Sequence, residues 1–348
     1  MMRVFFNNIG LIQKAEINLD GLTVITGKND TGKSTIGKML FCIMKAITQV
    51  KKEKKNPSIW DFSEQQILKD CINHFMDLIF ESHITPKGNI ELTDNSSKTD
   101  LYLFFENSSC DNIQKSEISK EFFKDATLLQ TPVIWDMVEF FDSINRFKQN
   151  EEIETGTSPS FKYPYLLWDV YMKISSTPAQ KNTQCELLLQ TIAELIRGKF
   201  KTKDGKVVFE HQNGIFQVSN MASGIKYFGL LQKLAENNKL NKGSLLIIDE
   251  PENHLHPEWQ LQFARLVVNL IKICEIKILI NSHSPYMIEA LKVYSDKVIR
   301  EQTNFYYNEK KDNAVVVNDV TYDLGYVFEQ LSEPFRTLEK INLGINDD

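Results

Sequence analysis

The sequence predicts an α/β fold from three observations. Residues 221–282 alternate amphipathic helices with apolar strands, at the spacing of parallel βαβ units. A glycine-rich loop at 27–34 stands between a strand and a helix. Three short runs rich in β-branched and aromatic residues precede that helix. Together they predict a central mixed or parallel sheet, an antiparallel β subdomain at the N-terminus and a largely helical insertion.

The N-terminal region, 1–50, contains the strands 3–10, 14–19 and 21–27, bounded by glycine turns. The glycine-rich loop follows the third strand. A helix is then predicted over 34–48, because Ile36, Met39, Leu40 and Ile43 recur at helical spacing on one face.

The middle region, 51–206, differs in composition and is expected to be a mostly helical insertion and lobe. It opens with a Lys/Glu run and continues with polar loops rich in Asn and Ser. Its predicted helices cover 62–80, 135–147, 163–175 and 184–198, and its predicted strands cover 101–106 and 125–134.

The region 207–300 carries the regular αβ pattern. A hairpin turns around 212–214, between the strands 206–211 and 214–220. A helix, a strand, a helix and a strand then follow over 224–238, 244–250, 258–273 and 277–282. The remaining residues, 301–348, predict a further hairpin at 303–319 and a helix at 326–341.

Composition narrows the function classes. The chain has 348 residues, and it contains no apolar run of membrane-helix length and no export signal, so no membrane association is expected. Its five cysteines are scattered along the sequence, which favours reduced thiols in a cytoplasmic protein. The net charge of −6 argues against a protein that coats nucleic acid, so DNA contact would need a local patch. Two lysine-rich patches are candidates, although a solvated surface is the simpler interpretation of each. They are Lys51, Lys52, Lys54 and Lys55, and Arg197, Lys199, Lys201, Lys203 and Lys206.

The loop at 27–34 matches G-x-x-x-x-G-K-[ST] in the strand–loop–helix context that this motif requires. Its backbone N–H groups and the helix N-terminus would surround phosphates. Lys33 would reach the β- and γ-phosphates, Ser34 would bind Mg²⁺, and Thr35 would contact the α-phosphate. The motif therefore predicts ATP and Mg²⁺ as cofactors. The predicted nucleotide-binding residues are Gly27, Lys28, Asn29, Asp30, Thr31, Gly32, Lys33, Ser34 and Thr35.

Two carboxylates, Asp249 and Glu250, end the apolar strand "LLIIDE". Ligands of open α/β sheets bind at the carboxyl ends of the strands, so Asp249 is expected to hold Mg²⁺. Glu250 would then orient or deprotonate the attacking water, because phosphoryl transfer needs mainly positioning and charge neutralisation. His254 and His256 alone form too small a set for a structural metal site.

The order of these motifs suggests a family. "ASGIK", "IIDEPENHLHPEWQ" and "INSHSPY" follow the phosphate loop. In this order they resemble ABC-type ATPases. The phrases resemble more closely the OLD-like branch of AAA ATPases, which is related to SMC and RecF ATPases and occurs in bacterial anti-phage defence. The resemblance covers 2–48 and about 207–292, and it implies an ABC-type ATPase head.

The resemblance also implies roles for individual residues. Ser223 and Gly224 would contact the γ-phosphate of a nucleotide bound to a second subunit, and His283 would contact the γ-phosphate. Gln130 would sense Mg²⁺ and water, although a polar loop residue is an equally supported interpretation. Asn253 and His254 would lie at the dimer seam. The string "ASGIK" departs from the usual L-S-G-G-Q, notably at Lys226, which leaves the register of this contact open.

The resemblance therefore implies an ATPase that forms a homodimer or higher homo-oligomer with ATP at the interface. Residues after His283 contain no Asp-x-Asp motif, so the nuclease of OLD proteins is not expected here. The leading hypothesis is an ATP-dependent switch that acts on a separate effector, possibly a Toprim or other nuclease. The main alternative is a DNA repair or chromosome ATPase of the SMC/RecF type. A transporter subunit and a nucleotide-binding module without turnover are less supported.

Overall fold

The computed structural model of the protein describes residues 2–53, 64–80, 87–93, 99–115, 124–155, 163–176, 185–203 and 206–343. The strands in these ranges are β1 (Met2–Ile9), β2 (Ile12–Leu19), β3 (Leu22–Gly27), β4 (Lys87–Thr93), β5 (Thr99–Glu106), β6 (Ser109–Lys115), β7 (Asp125–Leu129), β8 (Gly198–Lys203), β9 (Lys206–His211), β10 (Gly214–Gln217), β11 (Ser244–Asp249), β12 (Lys277–Asn281), β13 (Thr303–Lys311) and β14 (Ala314–Asp319). The helices are α1 (Lys33–Glu53), α2 (Glu64–Ile79), α3 (Val138–Thr155), α4 (Tyr165–Ser175), α5 (Glu186–Leu195), α6 (Ser223–Glu236), α7 (Pro257–Cys274), α8 (Pro285–Val298) and α9 (Leu324–Asn342).

A mixed sheet of eleven strands organises the described residues. Its order is β6-β5-β4-β1-β2-β14-β13-β3-β12-β11-β7. The five strands from β13 to β7 run parallel to one another. All six residues of β3 and of β11 are buried, as expected for strands covered on both faces. The α/β class and the central mixed sheet predicted from the sequence are confirmed.

The other end of the sheet is antiparallel. Strands β1 and β2 form the expected N-terminal hairpin, and β4, β5 and β6 extend it as a meander. These three strands belong to the region 51–206, so part of that region continues the main sheet instead of forming a helical lobe. Only β5 had a clear sequence signal, because the polar residues of β4 and β6 weaken their strand patterns.

The C-terminal hairpin is inserted within the main sheet. Strand β13 pairs in parallel with β3, and β14 pairs in parallel with β2. Phe305 and Tyr306 are both fully buried, and they belong to the hydrophobic cores on opposite faces of the sheet. The sequence predicted the hairpin but grouped it with the C-terminal segment 301–348, apart from the ATPase region.

Each face of the sheet is covered by a different set of helices. Leu246 and Ile248 of β11 pack with α6, α7 and α8, whereas Ile247 packs with α1 on the opposite face. Helix α1 approaches β11 closely, since a Cβ added to Gly37 would lie 3.0 Å from Cγ2 of Ile247. The helix that begins at the phosphate loop is therefore held firmly against the central strands.

A buried cluster of charges connects α1 to the middle region. Lys45 of α1 lies 2.8 Å from Asp125 of β7 and 2.6 Å from Asp169 of α4. Lys173 of α4 lies 3.0 Å from each of the same two carboxylates. Burial alone would raise the pKa of Asp125, but Lys173 and Lys45 lower it to about 2. Each lysine of the cluster is thus paired with both aspartates, and each aspartate with both lysines.

A second, small sheet has the order β10-β9-β8. The predicted hairpin of β9 and β10 is confirmed. The helix predicted over 184–198 ends at Leu195, and β8, which was not predicted, adds a third strand. The second lysine-rich patch lies here. Lys201 pairs with Glu210, and Lys206 pairs with Glu139, so acidic neighbours partly neutralise this patch. Of the first patch, Lys54 and Lys55 lie outside the described residues.

Candidate nucleotide-binding site

The phosphate loop takes a backbone shape that requires glycine. Gly27 has φ +146° and Gly32 has φ +77°, and α1 begins at Lys33. A Cβ added to Gly27 would lie 2.9 Å from the carbonyl oxygen of Asn308 in β13. The Asn308 side chain donates a hydrogen bond to the carbonyl of Thr31 at 2.7 Å. The loop is therefore braced by the C-terminal hairpin, which sequence reasoning did not anticipate.

Lys33 closes the loop from within. Its Nζ donates to the carbonyls of Gly27 and Lys28, both at 2.9 Å. Burial lowers the pKa of Lys33, while Glu250 and Asp249 act in the opposite direction. Glu250 Oε1 lies 4.0 Å from Lys33 Nζ. The buried ammonium thus stands between the loop carbonyls and the acids that end β11.

The outer residues of the loop face solvent. Lys28, Asn29 and Asp30 are exposed, whereas Thr31 is buried and donates to the carbonyl of Lys28 at 2.8 Å. Lys28 pairs with Glu333 of α9, and Asp30 lies 3.2 Å from Lys310 of β13. Gly32, Ser34 and Thr35 are half-buried at the loop end and helix start.

Asp249 collects polar groups from three other segments. Its Oδ1 accepts from Ser34 Oγ at 3.1 Å and from Asn281 Nδ2 at 2.8 Å. Its Oδ2 accepts from Gln130 Nε2 at 3.3 Å. Ser34, Asp249 and Gln130, which were proposed for metal binding from the sequence, are therefore adjacent. Asn281 was missed, although it ends β12 directly beside Asp249 in β11.

These oxygen atoms suit Mg²⁺. A serine hydroxyl and a carboxylate, with most ligands supplied by water and phosphate, are the donors that Mg²⁺ prefers. No group of three His, Cys, Asp or Glu able to hold a metal occurs among the described residues, so a protein-only metal cage is not found there. His254 stacks on Tyr227, and burial lowers its pKa. Ser34 and Asp249 are the residues that would hold the ion.

Glu250 occupies a sharp turn after β11. It has φ 49° and ψ 56°, a left-handed conformation that is uncommon outside glycine and asparagine. Asn253 Nδ2 donates to its Oε2 at 3.0 Å, and its own N–H donates to the carbonyl of Asn281 at 2.9 Å. His283 Nδ1 lies 3.6 Å from Glu250 Oε1. The turn thus holds Glu250 beside Lys33 and His283.

The family follows from a comparison with known sequences. Residues 22–289 match the sequence model of a family described as "AAA domain, putative AbiEii toxin, Type IV TA system". The chain belongs to this AAA family. The match extends from β3 into the first turn of α8 and contains the phosphate loop, the Asp249–Glu250 pair and His283. The protein thus contains a P-loop ATPase domain of the AAA type.

Two further similarities are more limited. The Septu protein PtuA of Bacillus thuringiensis is 26% identical over 123 residues, which cover 32% of this chain and 30% of that protein. The match thus spans about a third of the length of this relative. A solved structure of the SmcHead bound to the C-winged helix domain of ScpA superposes with a TM-score of 0.52. It covers 93% of this chain and 98% of that one at 11% identity, which establishes a shared fold.

The start of α6 lies beside the 251–254 turn, since a Cβ added to Gly224 would lie 3.3 Å from the His254 carbonyl oxygen. Helix α6 begins at Ser223, whose side chain is exposed and makes no hydrogen bond within the described ranges. Gly224 is buried where a Cβ would lie 3.1 Å from Trp259. Lys226, the departure from L-S-G-G-Q, turns inward and pairs with Asp136 at 2.7 Å. The start of α6 therefore exposes Ser223, while Gly224 and the unusual Lys226 are directed into the protein.

Within the part of the chain that the structure describes, no helix is both long enough and apolar enough to cross a membrane.

Proposed function

We propose that the chain hydrolyses ATP with Mg²⁺ at a site completed by a second copy, and that this cycle controls a separate effector. The convergence of Ser34, Gln130 and Asn281 on Asp249, beside Lys33 and Glu250, carries the proposal. This set supplies an ammonium for phosphate, a hydroxyl and carboxylate for Mg²⁺, and a second carboxylate for water.

Each residue has a definite task in the proposed reaction. The loop N–H groups and Lys33 bind and orient the phosphates, and Lys33 balances charge that develops on the γ-phosphate. Bound Mg²⁺ would supply electrostatic stabilisation of the phosphates. Glu250 accepts a hydrogen bond from water and removes its proton during attack on phosphorus. Gln130 keeps the Asp249 carboxylate in place and thereby preserves the geometry of the ion site.

The proposal includes a second copy of the chain because Ser223, at the start of α6, is exposed and could contact a nucleotide bound to another chain. The N-terminus of α6 offers N–H groups and partial positive charge, which favour an anion. In the proposed dimer this end faces the γ-phosphate held by the loop of the other copy. Asn253 is exposed and Gly224 is close to the His254 carbonyl, so the 251–254 turn would adjoin the same seam. Release of phosphate then removes the contacts that hold the two copies together.

The proposed dimer is tested with Glu250→Gln. The amide keeps the shape of Glu250 but cannot take the proton of water, so ATPase activity is expected to fall about 10²-fold to 10⁴-fold. With ATP and Mg²⁺ the variant should elute from a sizing column as a dimer or larger assembly. Lys33→Ala, which lacks the ammonium that binds phosphate, is the control and should stay monomeric with ATP. A Glu250→Gln protein that remains monomeric with ATP contradicts the shared site.

The effector proposal rests on the resemblance to OLD-like ATPases and on the family description, which names a type IV toxin–antitoxin system. We infer a cytoplasmic defence role against phage, exercised with a partner such as a nuclease. Deleting the adjacent partner gene is expected to abolish phage protection in a plaque assay. Protection by the ATPase alone contradicts this part of the proposal.

A further inference from the structure

Glu252 has a distinctive environment that the proposed reaction does not use. It follows Glu250 in a short 3-10 turn, Pro251–His254, yet its side chain is only 5% exposed. Its Oε1 accepts three hydrogen bonds from the turn after β12. The donors are Ser282 Oγ at 2.8 Å, the His283 N–H at 2.6 Å and the Ser284 N–H at 3.1 Å. One carboxylate therefore connects the end of β11 to the segment that carries His283.

The segment is itself well fixed. Ser284 caps α8, accepting from the Met287 N–H at 3.4 Å and donating to Gln260 Oε1 at 2.6 Å. A carboxylate at a helix N-terminus is favoured by the N–H groups and the helix dipole. Glu252 thus remains a good acceptor in a buried position, and it has a fixed geometry relative to His283.

The imidazole of His283 lies directly against this carboxylate. His283 Nδ1 is 3.2 Å from Glu252 Oε1 and is shielded from solvent, whereas the side chain as a whole is 37% exposed. The pair is within ion-pair distance, but Nδ1 has no aligned hydrogen bond, so a small tilt of the ring is needed to form one. Such bonds commonly tighten when substrate binds. Glu252 Oε2 is also buried without a hydrogen-bond partner, so the carboxylate has a free acceptor.

We propose that Glu252 is a positioning residue that keeps a hydrogen on Nδ1 of His283 and fixes the ring, so that Nε2 faces the γ-phosphate. The proposal rests on ATP hydrolysis as the function of the site. The physical reason is that the partner of one ring nitrogen decides which nitrogen carries the hydrogen. An acceptor at Nδ1 leaves Nε2 on the exposed edge of the ring as the atom for the reaction.

The variant Glu252→Gln distinguishes an effect on the tautomer of His283 from a purely structural effect on the turn that carries His283. The amide oxygen of glutamine can still accept from the His283 and Ser284 N–H groups, so the turn keeps acceptors. Because Oε1 already accepts three hydrogen bonds, the free Oε2 is the oxygen that would accept from Nδ1–H once the ring tilts. In the variant the NH₂ group occupies this Oε2 position, where it would donate to Nδ1 and shift the hydrogen to Nε2. Glu258→Gln is the matched control, because Glu258 is an exposed acid at the start of α7.

The first measurement is a double-mutant cycle in ATPase activity. Glu252→Gln is expected to lower kcat about 10-fold to 100-fold with little change in the KM for ATP, as is typical when the support of a functional side chain is lost. His283→Ala should lower kcat at least as much. Adding Glu252→Gln to His283→Ala should then cause no further loss, because Glu252 acts through His283. Losses that multiply, or a wild-type kcat in Glu252→Gln, overturn the proposal.

The second measurement does not need turnover. In ¹⁵N-histidine NMR, the signals that disappear in His283→Ala identify His283 among the six histidines of the chain. They should show the Nδ1–H tautomer in wild type and in Glu258→Gln, and the Nε2–H tautomer in Glu252→Gln. An Nε2–H tautomer in wild type, or an unchanged tautomer in Glu252→Gln, overturns the inference about Glu252. A wild-type protein without ATPase activity instead overturns the proposed function, and the NMR result still decides the role of Glu252.

Discussion

At the scale of single residues, Gly27 shows how the site depends on a distant strand. Its φ of +146° is rarely adopted by other residues, and its missing side chain leaves room for the Asn308 carbonyl. Gly214 is a natural comparison, because its φ of +134° is similar but nothing lies within 4 Å of an added Cβ. The two glycines therefore share a backbone requirement and differ in their neighbours.

This difference predicts the effects of two alanine variants. Gly27→Ala and Gly214→Ala should each lose about 1 kcal/mol of stability through backbone strain. Only Gly27→Ala should also weaken nucleotide binding, by about 10-fold or more, because the loop must move away from Asn308. Titration with a fluorescent ATP analogue measures this effect. Equal affinities in the two variants would show that the contact with Asn308 is not required.

The site residues that were predicted from the sequence belong to motifs with fixed spacing, whereas those that were missed are recognisable only by their contacts in the fold. Lys33, Ser34 and Asp249 stand in motifs with fixed spacing, and a Gln130 bond to Asp249 agrees with its predicted place. Asn281, Asn308 and Glu252 act through hydrogen bonds to residues that are distant in the chain. Such residues have no local pattern, because an asparagine at a strand end is also common where it has no partner.

At the scale of elements, the charge cluster couples the phosphate-loop helix to the middle region. Lys45 belongs to α1, Asp125 to β7, and Asp169 and Lys173 to α4. Removing one partner of a buried ion pair leaves an uncompensated charge, which costs far more than losing an exposed pair. The cluster therefore fixes α4 on α1, the helix that begins at the phosphate loop.

Asp169→Asn is expected to destabilise the fold by about 3 kcal/mol, because the buried side chains of Lys45 and Lys173 then lose one of the two carboxylates with which both are paired. Urea unfolding followed by circular dichroism measures the change. Asp296→Asn is the control, since Asp296 pairs with Lys292 at 2.9 Å near the surface and should cost at most about 0.5 kcal/mol. Equal losses of unfolding free energy in the two variants would show that the buried ion pairs contribute no more to stability than the exposed pair.

Helices and strands can be located along the chain from local sequence patterns, but their positions within the sheet are harder to predict. The strand–loop–helix at 21–48 and the alternating elements at 224–282 were predicted, because helical and strand periodicities are local, whereas α8 was not predicted. The position of the β13–β14 hairpin between β2 and β3 was not, because the pairing of β13 with β3 joins residues about 280 positions apart in sequence. The meander β4–β6 was only partly visible, since packing on α2 compensates for its weak strand residues.

At the scale of the whole molecule, one chain carries both of the surfaces that the proposed dimer would bring together. The loop at α1 lies with Asp249 and Glu250, and Ser223 at the start of α6 is exposed. In the proposed closed two-fold dimer, the loop of each chain would meet the start of α6 of the other chain, which would form two equal sites. The proposal would thereby give the exposed Ser223 a phosphate to contact.

A shared site has a consequence that no single-chain site has. Lys33→Ala disables the loop, and Ser223→Arg blocks the α6 end, so each variant alone should be inactive. In a mixed dimer, one site combines both defects, but the other combines an intact loop with an intact α6 end. Equal mixing gives half mixed dimers with one working site each, so about a quarter of wild-type ATPase activity should return if the two sites act independently.

The control for this restoration places both defects in one chain. Mixing Lys33→Ala with the double variant Lys33→Ala/Ser223→Arg leaves no intact loop anywhere, so activity should stay at the background of the separate proteins. A 1:1 mixture of the two single variants that also stays at background, while native mass spectrometry shows mixed dimers, contradicts a site shared between copies. Activity in Ser223→Arg alone would likewise show that the loop and its acids suffice within one chain. Restoration confined to the complementary pair would require that ATP is contacted by both copies, because no other combination of these surfaces contains a complete site.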